Sequence, residues 1–445
     1  MKHAVIKSLA VGAILSMAVA ACSSSGSSSS GGSSSSTATG KPLVIDDTPL
    51  SPMTDTFNPY SATSTGHVVT ADSLYNEPLF IWNILSPGQA PYQVLATGYS
   101  WSNGGKTLTL TTRSGVKWND GKPFTASDVA FTFNMIRTHP GLDTDGTPVP
   151  VSATAPSPTQ AVLNFSASEY TNLFLIGQTY IVPQHIWSTV NPATFADPNP
   201  VGTGPFMLDK FSPQGFTLKQ NPYYWDKSAV HVPEISYPSY SQNFNIVNPL
   251  ATGQIDLAGN DIANVQDVFL AKSSDNHTYM PSAPFYTANN VVSLTFNVTK
   301  APLNDAAVRQ AVSYGINRQQ LSAQGETGYE LPASSTSGML LPGANSFLES
   351  SLANDLGRWN DPATQAALAQ YAGSNDPNVQ QAAITKLENI MSTQVPVAPL
   401  LYGAAWWQFS TRNYTGWPSS NNPFMNPSVN SPYLEETVLH LKPVS

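Results

Sequence analysis

The chain has 445 residues, with 19 Lys or Arg against 28 Asp or Glu and a formal net charge of −9. Phosphate binding needs clustered Lys and Arg, and no basic patch offsets the acidic balance, so a nucleic-acid partner is excluded. Charged residues make up only 11% while nine Trp and 18 Tyr are present, which points to an uncharged, aromatic-rich interior or cleft. The single cysteine, Cys22, permits no disulfide within the chain.

Lys2 and Lys7 introduce a nearly uncharged apolar run from Ser8 to Ala21, and Val19-Ala20-Ala21 supplies the small residues of an export cleavage site. The run is too short and too weakly apolar for a transmembrane helix. With Cys22 directly after it, this stretch resembles a bacterial lipobox, which implies acylation of the thiol and a lipid anchor on the outside of the cell membrane. Residues 23–40 are almost wholly Ser, Gly, Thr and Ala, a composition that buries no apolar surface and behaves as a tether. A body long enough for two or more lobes starts near Lys41.

In the body, Leu43 to Asp46 is a short strand leading to a turn at Thr56-Phe57-Asn58-Pro59-Tyr60. Ser73 to Phe80 is an apolar segment ended by Pro78. Trp101 to Arg113 reads as a hairpin, because Asn103-Gly104-Gly105 tolerates positive φ and Thr107-Leu108-Thr109-Leu110-Thr111 alternates as a half-buried strand does. Asn119-Asp120-Gly121 makes a second turn. Thr125 and Asp128 form a capping box for a helix reaching about Arg137, with Val129, Phe133 and Ile136 on its core face. Ala161 to Phe165 is a strand. Gly202, Gly204 and Pro205 lack the Lys-Ser/Thr of a phosphate loop and read as a close approach of two segments. Asp305 to Gln324 is an amphipathic helix carrying Val308, Val312 and Leu321. Asp361-Pro362 and Asp376-Pro377 start two late helices with an N-cap and a first-turn Pro. Val379, Ala383, Leu387 and Ile390 form a stripe on the second of them. Val395 to Tyr402 is a strand returning from one lobe to the other. Asp128, Asp256 and the region Arg309 to Arg318 read as cap, turn and solvated helix face.

Several of these stretches occur in an order that resembles the family 5 extracellular solute-binding proteins, the oligopeptide-, dipeptide- and nickel-binding components of ABC importers. The resemblance is carried by Ser114 to Val129 (SGVKWNDGKPFTASDV), Val182 to Trp187, Val201 to Phe206, Asn221 to Trp225, Ala251 to Asp256 and Val308 to Arg318. It implies an α/β, two-lobed periplasmic-binding-protein-like fold of class II with an extra subdomain. The expected divisions are a leader (1–22), a tether (23–40), a first lobe with the subdomain (41–257), a second lobe (258–395) and a return to the first lobe (396–445).

The family pattern breaks at Asn354-Asp355, where several strands and helices of the second lobe have no counterpart, so a reduced second lobe is expected. The lost stretch carries, in peptide-binding relatives, the carboxylate that captures the peptide amino terminus. No residue here inherits that role, so binding in the family's usual manner is expected to be weak or absent.

The resemblance further implies capture without chemistry: two lobes close on a small solute and present it to ABC permease subunits, with the monomeric protein anchored by lipid. Expected ligand contacts are Asn58, Tyr75, Trp82, Tyr402, Trp406 and Trp407, with Trp417 packing on the lobe surface; packing of these aromatics in the core is the alternative. An oligopeptide is the first expectation for the solute and an oligosaccharide the second. No cofactor and no metal are expected, because the scattered histidines assemble no nickel ligand set. A secreted hydrolase is the rival from another class, yet no His-x-x-x-His helix or Gly-x-Ser-x-Gly elbow is present. A degenerate, non-transporting lipoprotein is the third reading.

Overall fold

The computed structural model describes residues 40–86, 88–142, 146–333, 358–430 and 432–444. The leader, the lipobox, nearly all of the tether and the Asn354-Asp355 junction lie outside the described residues.

The first lobe opens with β1 (Leu43–Asp46) and the short helix α1 (Asp72–Tyr75). A subdomain follows, built from β2 (Ala96–Ser102), β3 (Thr107–Thr112), α2 (Ala126–Thr138), β4 (Ser152–Ser157) and β5 (Gln160–Asn164). Its four strands lie in the order β2-β3-β5-β4. The β2–β3 turn forms where expected, because Asn103, Gly104 and Gly105 all take positive φ. Both halves of the Thr125/Asp128 capping box are present, and α2 buries Val129, Phe133 and Ile136. The chain then returns through β6 (Phe206–Ser212), β7 (Gly215–Gln220), β8 (Glu234–Pro238), α3 (Phe244–Ala251), β9 (Leu257–Ala258) and β10 (Asn276–Thr278).

The second lobe contains β11 (Ala288–Thr295), α4 (Ala306–Gly315), α5 (Arg318–Gly325), β12 (Leu331–Pro332), α6 (Pro362–Ala372), α7 (Pro377–Gln394) and β13 (Val397–Ala404). The chain ends in the first lobe with β14 (Gln408–Ser410) and α8 (Tyr433–His440). The first-lobe sheet has seven strands in the order β10-β14-β9-β1-β8-β7-β6, and the second-lobe sheet has β11-β13-β12.

In the first sheet β1 lies between two parallel neighbours, β8 and β9. A parallel sheet is covered on both faces, and the period-2 alternation divides its side chains between two cores. Leu43, Ile45, Leu257, Trp407 and Phe409 point into one core with Phe57 and Tyr75, whereas Val44, Ala258 and Trp406 belong to a second cluster with Tyr286 and Tyr329.

Strand pairing moves the expected lobe boundaries. Residues 258–278 still belong to the first sheet, so the crossing to the second lobe comes between β10 and β11. The strand expected to return between lobes is instead the centre of the second sheet, and the return crossing is the short link from Ala404 to Gln408. The two crossings are bonded to one another, with Ala405 N–H donating to the Thr287 carbonyl at 2.7 Å.

The long helix expected from Asp305 to Gln324 is two helices, broken at Ile316-Asn317, where the Asn317 side chain caps α5 by accepting from Gln320 N–H at 3.0 Å. Its expected apolar face is not buried: Val312 and Leu321 are each more than one-third exposed, and Tyr314 is 79% exposed. Arg309 is not on a solvated face. It is buried, and its guanidinium donates to the carbonyls of Leu303, Gln394 and Val395, tying α4 to the end of α7. Arg318 likewise donates to Pro399 and Ser313. Val292, Leu294 and Leu331 leave apolar surface open on the second-lobe sheet.

Candidate functional site

Parallel strands leave a crevice beyond their carboxyl ends, where no strand continues and loops diverge. Here the ends of β1, β8 and β9 bring together Asp46-Asp47, Tyr240 and the turn Gly259-Asn260-Asp261. Both lobe crossings meet this place, since Tyr286, Tyr329 and Trp406 pack in the same cluster as Val44, Tyr240 and Ala258. Tyr286 and Trp406 stand edge to face at 4.8 Å, and Tyr329 lies 5.8 Å from Tyr286.

The electrostatics of the crevice are one-sided. Burial pushes the Asp46 carboxyl up to about 7 against a lowering hydrogen bond from Asn260, and the neighbouring Asp47 charge raises it further. Asp47 is pushed up to about 6 by burial, although Thr48 and Thr70 hydroxyls donate to it at 3.2 and 3.3 Å. Asp261, on the exposed rim, is also raised by desolvation, and Glu330 is raised by burial while accepting from Ala404 N–H at 3.1 Å. Among the described residues, no ion pair includes any of these four carboxyls. Gly259 is required at the turn, because a Cβ there would collide with the Asp47 carboxylate and Val429. Among the described residues no group of three or more His, Cys, Asp or Glu could hold a metal ion.

The expected contacts are distributed over several places. Trp406, half-buried, is in the crevice. Trp407 is fully buried in the opposite core, because adjacent residues of an extended chain face opposite ways. Tyr75 is also fully buried; its hydroxyl donates to Asp72 at 2.7 Å. Asn58 is buried and acts as a loop clamp, donating to the Pro192 and Phe195 carbonyls and accepting from Tyr60 N–H. Core packing therefore occupies Asn58, Tyr75 and Trp407. Trp82 belongs to the subdomain, in contact with Phe80 and Phe174. Tyr402 is half-buried in β13, between Val291 and Leu331. Trp417 is buried in the first-lobe core and lines a separate open cavity of about 460 Å³ at the β10 edge, together with His277, Tyr279, Thr411 and Asn422. The crevice carboxyls, Asn260, Tyr286 and Gln408 escaped sequence reasoning. Their one local signal was a pair of acidic residues at the end of a short apolar strand.

The family described as bacterial extracellular solute-binding proteins, family 5 Middle, matches residues 90–402. The glutathione-binding protein GsiB of Salmonella paratyphi A is 29% identical over 292 residues, 62% of this chain and 53% of that protein. The nickel-binding periplasmic protein of Escherichia coli K12 is 28% identical over 69% of this chain and 58% of its own. The oligopeptide-binding protein OppA of Bacillus subtilis is 26% identical over 55% and 48%. The chain thus spans about half the length of the curated relatives it matches. Among solved structures, a mannohexaose-bound periplasmic oligopeptide-binding protein of Thermotoga maritima has a TM-score of 0.77 at 20% identity, covering 91% of this chain and 99% of that one. The fold is therefore the two-lobed class II form, and the chain belongs to the family 5 bacterial extracellular solute-binding proteins.

Proposed function

We propose that this chain is the lipid-anchored, extracytoplasmic solute-binding component of an ABC importer, which takes an oligopeptide between its lobes and delivers it to a membrane permease. The observation that carries the reading is the crevice itself: three strand ends, both lobe crossings and a set of aromatic faces converge where a hinge would close. The names of the relatives are those of binding proteins, which supports capture over turnover. The peptide reading is supported by carboxyls that face no basic partner, since a peptide brings positive charge and backbone donors.

A neutral oligosaccharide is the second reading, favoured by the rings of Tyr240, Tyr286, Tyr329 and Trp406 and by the mannohexaose-bound neighbour. Anchoring at Cys22 rests on the small-residue run before it and the tether after it. Native mass spectrometry of the full chain, mixed with equal amounts of tri- to pentapeptides and manno- and cello-oligosaccharides, tests the ligand class. A retained peptide mass is expected, and retention of sugar alone would overturn the choice. Metabolic labelling with an alkyne fatty acid tests the anchor: label lost in Cys22→Ser is expected, and label retained by that variant would refute it.

A further inference from the structure

A separate cavity stands apart from the crevice, at the open edge of the first-lobe sheet. β10 is the last strand there, paired with β14 on one side only, and residues 411–422 return beside it. Between them lies the cavity of about 460 Å³, within the ~300–1,000 Å³ range of small-molecule sites. None of the crevice rings, Tyr240, Tyr286, Tyr329 or Trp406, lines it. Its far rim is fixed by hydrogen bonds of its own. Trp417 Nε1 donates to the Ser410 and Tyr414 carbonyls at 3.1 and 2.9 Å, Ser419 and Asn422 exchange backbone hydrogen bonds, and Ser420 N–H donates to the Tyr279 carbonyl at 2.9 Å. The mouth therefore has a set shape before any ligand arrives.

Among the described residues no Lys, Arg, Asp or Glu lines this cavity, so a charged group entering it would give up water without meeting a counter-ion. Phe409 and Trp417 give it a narrow apolar strip, since both are otherwise committed to the first-lobe core. Two buried polar side chains also line it, and each leaves a group unanswered. Asn276 is 4% exposed; its amide nitrogen donates to the Ala251 and Phe269 carbonyls at 3.2 and 3.0 Å, while its Oδ1 has no partner. Tyr279 is likewise 4% exposed, and its hydroxyl has no hydrogen-bond partner among the described residues. The first group is an acceptor awaiting a donor, and the second both gives and accepts. At the mouth, the exposed Ser420 and Asn421 side chains add groups of both kinds. An ammonium only donates and a carboxylate only accepts, so neither matches the set. A saccharide ring does: it is neutral, its hydroxyls donate and accept, and its C–H groups cover an apolar strip.

We propose that the β10 edge carries a binding site for one neutral saccharide ring, with Asn276 and Tyr279 as its buried hydrogen-bond partners, Phe409 and Trp417 as its apolar strip, and Ser420 and Asn421 at its mouth. The site is independent of the solute taken between the lobes. All of its residues belong to the first lobe, so it is complete whether the lobes are open or closed, and it can hold a sugar while the crevice is occupied. The open mouth admits either a free sugar or the end unit of a glycan chain.

The test is saturation-transfer difference NMR of the full chain, in the presence of the tri- to pentapeptide mixture, with the methyl glycosides of glucose, galactose, mannose and N-acetylglucosamine as probes. Transfer to at least one glycoside is expected. Ser420→Trp, at an exposed position where an indole would close the mouth, is expected to abolish it. Tyr279→Phe is expected to weaken affinity about fivefold, the scale of one neutral hydrogen bond, with an unchanged melting temperature because the hydroxyl has no partner in the described fold. Trp406→Ala, in the crevice, is expected to leave the transfer unaltered. The trisaccharide of the sugar that binds separates the two sources: affinity equal to the methyl glycoside identifies a chain end, and lost binding identifies a free sugar; both support the site. No transfer to any of the four glycosides, or transfer unchanged in both Ser420→Trp and Tyr279→Phe, overturns it and leaves peptide capture intact. Transfer lost in Trp406→Ala but kept in Ser420→Trp overturns it as well, and supports the oligosaccharide reading of the crevice.

Discussion

Replacement of Glu77 by Gln should change how the protein's stability depends on pH. Glu77 follows α1 and is fully buried; one carboxyl oxygen accepts from Trp225 Nε1 at 2.7 Å, and the Arg113 guanidinium lies over the Trp225 ring at 3.7 Å. The Glu435 carboxyl on α8, also buried, is hydrogen-bonded to it. Burial pushes Glu77 up to about 7, against lowering contacts from Thr203, Trp225, Arg113 and Glu435, while burial and the Glu77 and Glu436 charges hold Glu435 higher still. A carboxyl raised in the folded state stabilises fully below its unfolded value, and that contribution is lost as pH rises through the folded value. For Glu77 the window runs from 4.5 to about 7, which corresponds to roughly 3 kcal/mol at about 1.4 kcal/mol per tenfold change. With an unfolding entropy of about 2 cal/mol/K per residue, that is roughly 4 °C for a body of about 400 residues. Differential scanning calorimetry of wild type and Glu77→Gln at pH 5 and pH 8 should show the variant gaining roughly 4 °C relative to wild type at the higher pH. Asp46, Asp47 and Asp197 are raised as well, but they are common to both proteins and cancel in the difference; Glu435 does not, because the variant removes the Glu77 charge that helps to raise it, which adds to the variant's gain at the higher pH. A variant offset that is the same at both pH values would refute the reasoning.

Arg309→Lys keeps the charge but loses the planar fork that holds three carbonyls; urea unfolding should report a loss of roughly 2–3 kcal/mol, and an unchanged midpoint would show that the fork contributes nothing. Gly202→Ala should prevent accumulation of folded protein, since its Cβ would collide with the Tyr75 carbonyl, whereas Gly98→Ala, with open space around it, should be tolerated; soluble yield and circular dichroism compare the two. Trp407→Ala should cost about 3–5 kcal/mol as a core truncation, and Trp406→Ala distinctly less while altering solute-dependent fluorescence.

Features set by a few neighbouring residues were legible in the sequence. The Thr125/Asp128 capping box, the Asn103-Gly104-Gly105 turn and the Gly202/Gly204 close approach form where local rules place them, because their physics is contained within a turn or a missing Cβ. The family motifs carried the two-lobed fold beyond what local rules reach. The crevice was less legible, since Asp46 and Gln408 become neighbours only through strand pairing via Ala258. Trp406 and Trp407 show the same limit at the smallest scale: both read as aromatic candidates, and only the register of β14 assigns one to the crevice cluster and the other to the core. Arg309 read as solvated because its partners are carbonyls at the end of α7, far along the chain and without side-chain identity.

Amide hydrogen exchange of the full chain, with and without a saturating tri- to pentapeptide mixture, tests most directly whether solute is held between the lobes. New protection is expected at 258–262, 284–288 and 404–408, where the strand ends meet the two crossings. Protection confined to the β10-edge cavity around His277 and Trp417, or none at these three segments under saturating peptide, would contradict it.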